Sequence, residues 1–216
     1  MNSEIQACIF DLDGVLVDTA VFHFQAWGRL AAELGFSFDE SQNERLKGVS
    51  RMRALDLLLE IGGIKADDAQ KLAWATRKNA WYVELISGME SEDVLPGVRD
   101  LLDYLQGKGY KLALASASKN APRILEVTGL NRMFAAIVDG NRTVRAKPDP
   151  EVFLTAASDL EVAPAHCVVF EDAVAGVAGA IAGGMVAVGI GSPRNLSAAH
   201  FVVPSIAEFD PAVLNL

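Results

Sequence analysis

The chain has 216 residues, and its 19 Lys and Arg against 28 Asp and Glu give a formal net charge of −9. Its length fits one α/β domain with room for a helical insertion, and its 51% hydrophobic and 22% charged residues exclude a disordered or fibrous chain. The acidic balance argues against a nucleic-acid partner, which needs clustered Lys and Arg, and it means that an anionic substrate requires local cations.

Short apolar runs separated by helical patterns predict the main body of the fold. Alternation of this kind is typical of parallel strands joined by crossover helices, so we expect an α/β fold with a doubly wound parallel sheet. The predicted strands are residues 6–10, 110–115, 135–138, 167–170 and 185–190, and the predicted helices between the later strands are 98–106, 121–128, 150–160 and 173–182.

The segment between the first two strands shows helical periodicity and no strand pattern. Helices are predicted over 21–34, 52–59 and 66–86, which makes the segment too long for a simple crossover. We therefore expect a core domain of residues 1–17 and 94–216 and an inserted all-helical cap domain of residues 18–93. The cap would lie over the carboxyl ends of the strands, where open α/β sheets bind ligands.

Neither the cysteines nor the longest uncharged stretch indicates a secreted or membrane protein. Cys8 and Cys167 lie in apolar runs, so we expect two buried thiols and no disulfide framework. Residues 173–192 carry no charge, but six glycines divide them, which favours a helix, a turn and a strand over a membrane span. We expect a soluble cytoplasmic monomer with no membrane partner.

The strongest local signal is the run Asp11-Leu12-Asp13-Gly14 at the end of the first strand. Carboxylates at i and i+2 leave a strand on the same side, and a glycine permits a tight turn behind them. Burying two acids is unfavourable unless a cation or a reaction requires them. A solvated strand end that caps the next helix is the alternative reading.

A second acidic pair, Glu171 and Asp172, follows the strand predicted at 167–170. By itself the pair could serve a helix N-terminus, which favours acids. If the two strands are neighbours, however, Asp11, Asp13, Glu171 and Asp172 meet at one edge of the sheet. Oxygen ligands of this kind suit Mg²⁺.

Two further segments offer groups that could bind an anion. Ser116 begins the run Ser-Ala-Ser-Lys-Asn between a strand and a helix, where free main-chain N–H groups and the hydroxyl can hold a phosphate. Lys147 precedes a proline that stiffens the turn and directs the lysine. An ordinary serine helix cap and a surface lysine are the alternatives.

Together, the segments DLDGVLVDT, ASASKN, KPDP and FEDAVAG resemble, in order and separation, the four motifs of the haloacid dehalogenase superfamily. The likeness covers roughly residues 5–195. In the cap, LKGVSR at 46–51 and RKN at 77–79, with His23 and Trp27, are similar to the sugar phosphomutase branch of that superfamily.

The resemblance implies a role for each matched residue. Asp11 would be the nucleophile that forms an aspartyl-phosphate, and Asp13 the general acid and base. Mg²⁺ would lie between Asp11, Asp13 and Asp172, with Glu171 in support. The transferred phosphoryl group would be held by Ser116, the Ala117 amide and Lys147, and the far phosphate by Arg51, Ser118, Lys119 and Asn120. Cap closure and sugar contact would involve Thr19, His23, Trp27, Lys47 and Lys78.

The reaction implied is the interconversion of β-D-glucose 1-phosphate and glucose 6-phosphate through a hexose 1,6-bisphosphate. A sugar-phosphate phosphatase on the same scaffold is the alternative, because an aspartyl-phosphate exposed to water hydrolyses. A non-enzymatic sugar-phosphate-binding protein is a third possibility, and the intact Asp11 and Asp13 pair argues against it.

Overall fold

The computed structural model describes residues 4–215, so residues 1–3 and 216 of the predicted core domain lie outside it. Six strands form one parallel sheet with the order β3-β2-β1-β4-β5-β6. The strands are β1 Ala7–Phe10, β2 Lys111–Ala115, β3 Ala136–Val138, β4 Cys167–Glu171, β5 Val186–Ile190 and β6 Phe201–Val203. The α-helices are α1 Ala20–Glu33, α2 Glu40–Asn43, α3 Arg51–Gly62, α4 Asp68–Ile86, α5 Val98–Gly107, α6 Ala121–Val127, α7 Glu151–Asp159 and α8 Val174–Ala182.

The central strand β1 is buried on both faces, which explains its unbroken apolar sequence. Cys8 and Phe10 belong to the hydrophobic cluster on one face of the sheet, and Ala7 and Ile9 belong to the cluster on the other. The ring of Phe10 stacks on that of its register neighbour Phe170 in β4, with 4.6 Å between centroids. The sheet is thus fixed from both sides by alternate residues of the same strands.

Helices α1–α4 connect β1 to the rest of the sheet and have a hydrophobic cluster of their own, which includes Leu30, Leu55 and Leu58. Local signals set the helix ends. The Ser50 hydroxyl accepts a hydrogen bond from the Arg53 N–H at the start of α3, and a reciprocal capping box opens α4. The predicted cap boundaries at residues 18 and 93 stay a prediction.

The five predicted strands and the predicted helices are confirmed to within a few residues at their ends. Two elements were not predicted, the edge strand β6 and the four-residue α2. Strand β6 is the apolar run Phe201–Val203, but with three partly exposed residues it is too short to stand out in the sequence. Cys8 and Cys167 are both buried and free, as expected. Within residues 4–215, none of the helices has the length and apolar character that crossing a membrane requires.

The order of the strands decides where a ligand can bind. Strand β1 lies between β2 and β4, and the chain crosses the sheet to either side of it. The carboxyl ends of these three neighbours therefore meet at the switch point of the sheet, below α1–α4. All four motifs singled out in the sequence lie at or next to this point.

Candidate active site

The first pair of acids leaves the end of β1. The Asp11 N–H donates to the Phe170 carbonyl at 3.0 Å, which continues the pairing with β4 for one more residue. Asp11 is buried, with 4% of its surface exposed, and Asp13 is partly buried. The Thr19 hydroxyl donates a short hydrogen bond to Asp13 Oδ1. Burial, and next the charge of Asp11, raise the pKa of Asp13 to about 6.

Asp11, Glu171 and Asp172 form a group of carboxylates whose facing oxygens all lie within 4.8 Å of one another. Gly14 makes this approach possible, because a Cβ there would lie 2.3 Å from Asp172 Oδ2. Burial, followed by Asp11, raises the pKa of Glu171 to about 7, and burial and Glu171 hold that of Asp172 well above its usual range. Hard oxygen donors at this spacing fit a divalent cation.

Lys147 lies beneath these carboxylates with 3% of its surface exposed. Its ammonium donates to Asp11 Oδ1 at 2.6 Å, to Glu171 Oε2 at 2.8 Å and to the Ala115 carbonyl at 3.3 Å. Burial opposes the charged form, yet the Asp11 and Glu171 carboxylates raise the pKa of Lys147 above its ordinary value. The lysine is therefore a fixed positive charge in the floor of the site.

The loop after β2 brings donors to the same place. Ser116 is buried, and its hydroxyl accepts the Ser118 N–H at 3.1 Å, which folds the loop into a turn. The Ser118 hydroxyl in turn accepts the Asn120 N–H at 3.2 Å. Within residues 4–215 the Ala117 N–H donates to no protein oxygen, so it is available to an anion.

On the cap side, Lys78 is buried in an apolar and aromatic setting. Its ammonium lies 2.8 Å from His23 Nδ1, 4.5 Å from the centroid of the Trp27 ring and 4.7 Å from that of Tyr82. Burial, and next the charge of Arg51, lower the pKa of Lys78 to about 7. Burial and Lys78 also hold the pKa of His23 well below its ordinary value, which favours the neutral imidazole.

Two contacts join the segment that holds α1–α4 to the loops at the carboxyl ends of the strands. Asn120 Nδ2 donates to Asn79 Oδ1 at 3.0 Å, and Lys47 Nζ lies 3.9 Å from Asp172 Oδ2. Lys47 also pairs with Glu44 at 2.8 Å. The two lobes therefore approach closely enough to enclose a small ligand.

The structure brings most of the predicted site residues around one cleft with a cavity volume of about 150 Å³. Thr19, Lys147 and Glu171 do not line its surface but lie directly behind it. The predicted residues on its wall are Asp11, Asp13, His23, Trp27, Lys47, Arg51, Lys78, Ser116, Ala117, Ser118, Lys119, Asn120 and Asp172.

Several residues at the cleft were not among the predicted site residues. Asn79, which accepts a hydrogen bond from Asn120, is one of them, and its place in the RKN motif is the sequence signal that could have found it. Thr143–Ala146 form part of the wall, and Asn43 lies at the foot of the cap. Tyr82, which packs on His23 with 4.0 Å between ring centroids, had no sequence signal beyond helical spacing.

With this geometry in place, comparison with known proteins identifies the class. The family model of the haloacid dehalogenase-like hydrolases matches residues 5–184, and the chain belongs to that family.

Individual relatives within the family resemble the chain more closely than the family model alone indicates. The chain is 43% identical over 213 residues to a β-phosphoglucomutase of Bacillus subtilis, covering 98% of this chain and 94% of that protein. It is 34% identical to a phosphorylated carbohydrates phosphatase of Thermotoga maritima, covering 84% and 82% of the two chains. The crystal structure of β-phosphoglucomutase from Clostridium difficile superposes with a TM-score of 0.93 at 41% identity, covering 97% of this chain and 95% of that one.

Proposed function

We propose that the chain is a phosphotransferase of the isomerase class that interconverts β-D-glucose 1-phosphate and glucose 6-phosphate, the reaction of a β-phosphoglucomutase. The observation that carries the proposal is that Asp11 and Asp13 line the same cleft as Arg51. The high identity to a β-phosphoglucomutase over nearly the whole chain supports a mutase over a phosphatase.

Each turnover begins with a phosphoenzyme and ends by regenerating it. A sugar hydroxyl attacks the phosphorus of the Asp11 aspartyl-phosphate, the bond from phosphorus to the Asp11 oxygen breaks, and Asp13 accepts the hydroxyl proton. The hexose 1,6-bisphosphate so formed then reorients within the site, so that its other phosphate lies next to Asp11. Asp11 then attacks the other phosphorus, and Asp13 returns the proton to the departing sugar oxygen. A pKa of about 6 lets Asp13 exchange a proton near neutral pH.

The donors in the floor hold the group being transferred. The Ser116 hydroxyl, the free Ala117 N–H and the Lys147 ammonium face the carboxylate that accepts it. Lys147 offsets the repulsion that a dianionic phosphate would meet from Asp11, which amounts to about 4 kcal/mol for two unit charges 4 Å apart at an effective dielectric of 20. Positioning and charge supply most of the catalysis in phosphoryl transfer.

A metal ion fits the carboxylates of the floor. Asp11, Asp172 and Glu171 would hold Mg²⁺, with the Asp13 carbonyl as a further donor, and the hard oxygen set is the one that this ion prefers. When bound, the ion neutralises charge on the phosphoryl group.

The helical lobe would determine whether the phosphoryl group of Asp11 is transferred to a sugar or to water. We propose that residues 18–93 act as a cap domain over a core of residues 1–17 and 94–216. Arg51 would hold the second phosphate together with Ser118, Lys119 and Asn120, while Lys47, Lys78, His23, Trp27 and Thr19 would close the cap over the sugar. An enclosed aspartyl-phosphate reacts with the sugar hydroxyl instead of solvent. We further propose that the enzyme acts as a monomer.

The test is formation of glucose 6-phosphate from β-D-glucose 1-phosphate with Mg²⁺ and trace glucose 1,6-bisphosphate, read with a coupled dehydrogenase. We expect turnover that depends on the bisphosphate, and Asp11→Asn should abolish it together with the phosphoenzyme. Release of only inorganic phosphate and free sugar would establish the phosphatase instead.

A second comparison isolates the far phosphate. Arg51→Ala should lower mutase turnover far more than hydrolysis of a small aryl phosphate, because the aryl phosphate has no second phosphate to bind. Arg53→Ala is the matched control, since Arg53 lies on the same helix but pairs with Glu60 outside the cleft. Equal losses of both activities in Arg51→Ala would remove Arg51 from that role.

A further inference from the structure

Asp139 is a buried carboxylate to which the proposed mechanism gives no role. It lies directly after β3 with 5% of its surface exposed, and within residues 4–215 it forms no ion pair. Both hydrogen bonds to its side chain come from Asn141, whose N–H donates to Oδ1 at 3.0 Å and whose Nδ2 donates to Oδ2 at 2.9 Å. Burying a carboxylate is unfavourable, so this arrangement calls for an explanation beyond a simple turn.

The amide of Asn141 also contacts the loop after β2. Its Nδ2 donates to the Lys119 carbonyl at 3.3 Å. An amide nitrogen has two hydrogens, so the Asp139 carboxylate and the Lys119 carbonyl use both of them. Because both neighbours can only accept, Asn141 must present its nitrogen here, and Asp139 fixes the side chain in that orientation.

Gly140 adds main-chain contacts beside that of Asn141. Its N–H donates to the Ser118 carbonyl at 3.3 Å. A Cβ at Gly140 would lie 2.3 Å from the Ala117 carbonyl oxygen, so glycine is what lets the two loops approach this closely. Three successive carbonyls, those of Ala117, Ser118 and Lys119, therefore lie against residues 140 and 141.

These contacts set the direction of an unused donor in the loop after β2. The Ser118–Lys119 peptide is trans, so its carbonyl and its N–H point in opposite directions. Since Gly140 holds the Ser118 carbonyl, the Lys119 N–H points away from the β3 loop. In the described part of the chain this N–H donates to no protein oxygen, and Lys119 lines the cleft. It is thus available to an anion.

We infer that Asp139 and Asn141 are positioning residues that hold the loop after β2 in the conformation that binds the far phosphate. The inference rests on the proposed function, which assigns that phosphate to Lys119 and its neighbours. Asp139 fixes the Asn141 amide, the amide holds the Lys119 carbonyl, and the loop then presents the Lys119 N–H and side chain to the phosphate. Neither Asp139 nor Asn141 touches the substrate in this scheme.

The transferred phosphoryl group depends on other anchors. The Ser116 N–H donates to the Val138 carbonyl at 2.9 Å, and Lys147 is held by Asp11 and Glu171. Loss of the Asn141 contact should therefore weaken binding of a substrate with two phosphates and leave a substrate with one small phosphate group largely unaffected.

The test compares Asn141→Ala with the double variant Asp139→Asn/Asn141→Asp. The single variant removes the amide. In the double variant the donor and the acceptor exchange places, so the two side chains can still bond to each other and the net charge is unchanged. The side chain at position 141 can no longer donate to the Lys119 carbonyl, however. The double variant therefore keeps the turn after β3 and breaks the side-chain contact between the two loops.

We expect both variants to raise the KM for glucose 1,6-bisphosphate about threefold to tenfold, the value of one hydrogen bond. Hydrolysis of a small aryl phosphate should stay nearly unchanged, and the double variant should unfold in urea at the midpoint of the wild type. Asn131→Ala is the matched control, because Asn131 is exposed and lies outside the cleft wall.

Amide hydrogen exchange reads the loop without any turnover. The amides of Ser118 and Asn120, which are hydrogen-bonded within the loop, should exchange faster in both variants than in the wild type. Wild-type KM and exchange in Asn141→Ala, a wild-type KM in the double variant, or equal losses with the bisphosphate and the aryl phosphate would each overturn the inference.

The wild-type assay separates this inference from the proposed function. If wild-type protein forms no glucose 6-phosphate, the mutase proposal fails. The comparison is then made on release of inorganic phosphate from glucose 1,6-bisphosphate, where the same rise in KM is expected and an unchanged KM would overturn the positioning role as well.

Discussion

Replacing Lys147 with methionine tests how the floor of the site is held together. Methionine has a similar volume and no charge, so the change removes the ammonium that lies 2.6 Å from Asp11 Oδ1 and 2.8 Å from Glu171 Oε2. Two carboxylates then face each other in a buried site without compensation. We expect the protein to lose stability and, through the lost phosphoryl contact, nearly all turnover.

The magnitude follows from the geometry. Unit negative charges separated by 4.8 Å, the upper limit for these oxygens, repel by about 3.5 kcal/mol at an effective dielectric of 20. Breaking a buried ion pair by removing one partner costs about 3–5 kcal/mol. The two routes agree, so Lys147→Met should lower the free energy of unfolding by about 3–5 kcal/mol in metal-free protein at about pH 8.5.

The loss should depend on pH with a definite sign. The pKa of Glu171 is already raised to about 7, and removing Lys147 takes away a charge that lowers it. The folded variant therefore binds a proton that its unfolded chain does not bind. Since a raised carboxyl pKa destabilises the folded state as pH rises, the deficit is largest above the raised pKa of Glu171 in the variant and shrinks as pH falls toward about 7, where Glu171 of the wild type also binds a proton.

Urea unfolding followed by circular dichroism measures the effect, with and without Mg²⁺. A divalent cation replaces the lost positive charge, so Mg²⁺ should stabilise the variant more than the wild type. Lys111→Met is the control, because Lys111 donates to the Leu160 carbonyl away from the carboxylates. A loss below about 1 kcal/mol, or one that does not change with pH, would refute the electrostatic account.

Three further substitutions test other parts of the site. Burial lowers the pKa of the folded Lys78 to about 7, so the free energy of unfolding of the wild type should rise by up to about 1.4 kcal/mol per pH unit between pH 7 and 10.5. Lys78→Met should remove this rise, which urea unfolding at several pH values measures. Glu151→Gln should reduce kcat severalfold and lower stability slightly, since Glu151 accepts two main-chain N–H groups of the loop that precedes α7; kinetics and urea unfolding at one pH would detect both. Gly176→Ala should cost about 2 kcal/mol or more, because its Cβ would lie 2.0 Å from the Glu171 carboxyl carbon; Gly28→Ala, which meets nothing within 4 Å, should be neutral or stabilising in the same unfolding assay.

Local sequence signals were sufficient for most of the fold. Strands such as β1 and β4 are buried on both faces and read as unbroken apolar runs, and α3 and α4 begin at polar caps that any helix start would favour. Strand β6 is also apolar, but it has only three residues and is partly exposed. Its residues pair with β5 only because the chain after β5 returns to the sheet edge, and that return depends on tertiary packing.

The residues of the site also had local sequence signals, whereas the contacts between them depend on the tertiary fold. Asp11 and Ser116 were predicted because each follows a strand, and Lys147 because it precedes a proline within a recognisable motif. Their pairings were not predicted, since Lys147 and Asp11 are 136 positions apart and meet only after the sheet has formed. Tyr82 is a more extreme case, because its stacking on His23 follows only from the packing of α4 against α1, and helical spacing describes it as an ordinary core residue.

The net charge of −9 suggested at first that an anionic substrate would be repelled, but the distribution of charge matters more than its sum. In the floor, Asp11, Glu171 and Asp172 bring three negative charges when ionised and Lys147 brings one positive charge, which leaves two negative charges. The raised pKa values of Glu171 and Asp172 show that the folded protein carries this excess at a cost. A divalent cation matches it in number, so the floor becomes neutral once the ion is bound. Lys119 and Arg51 on the cleft wall would then add positive charge around a bound phosphate.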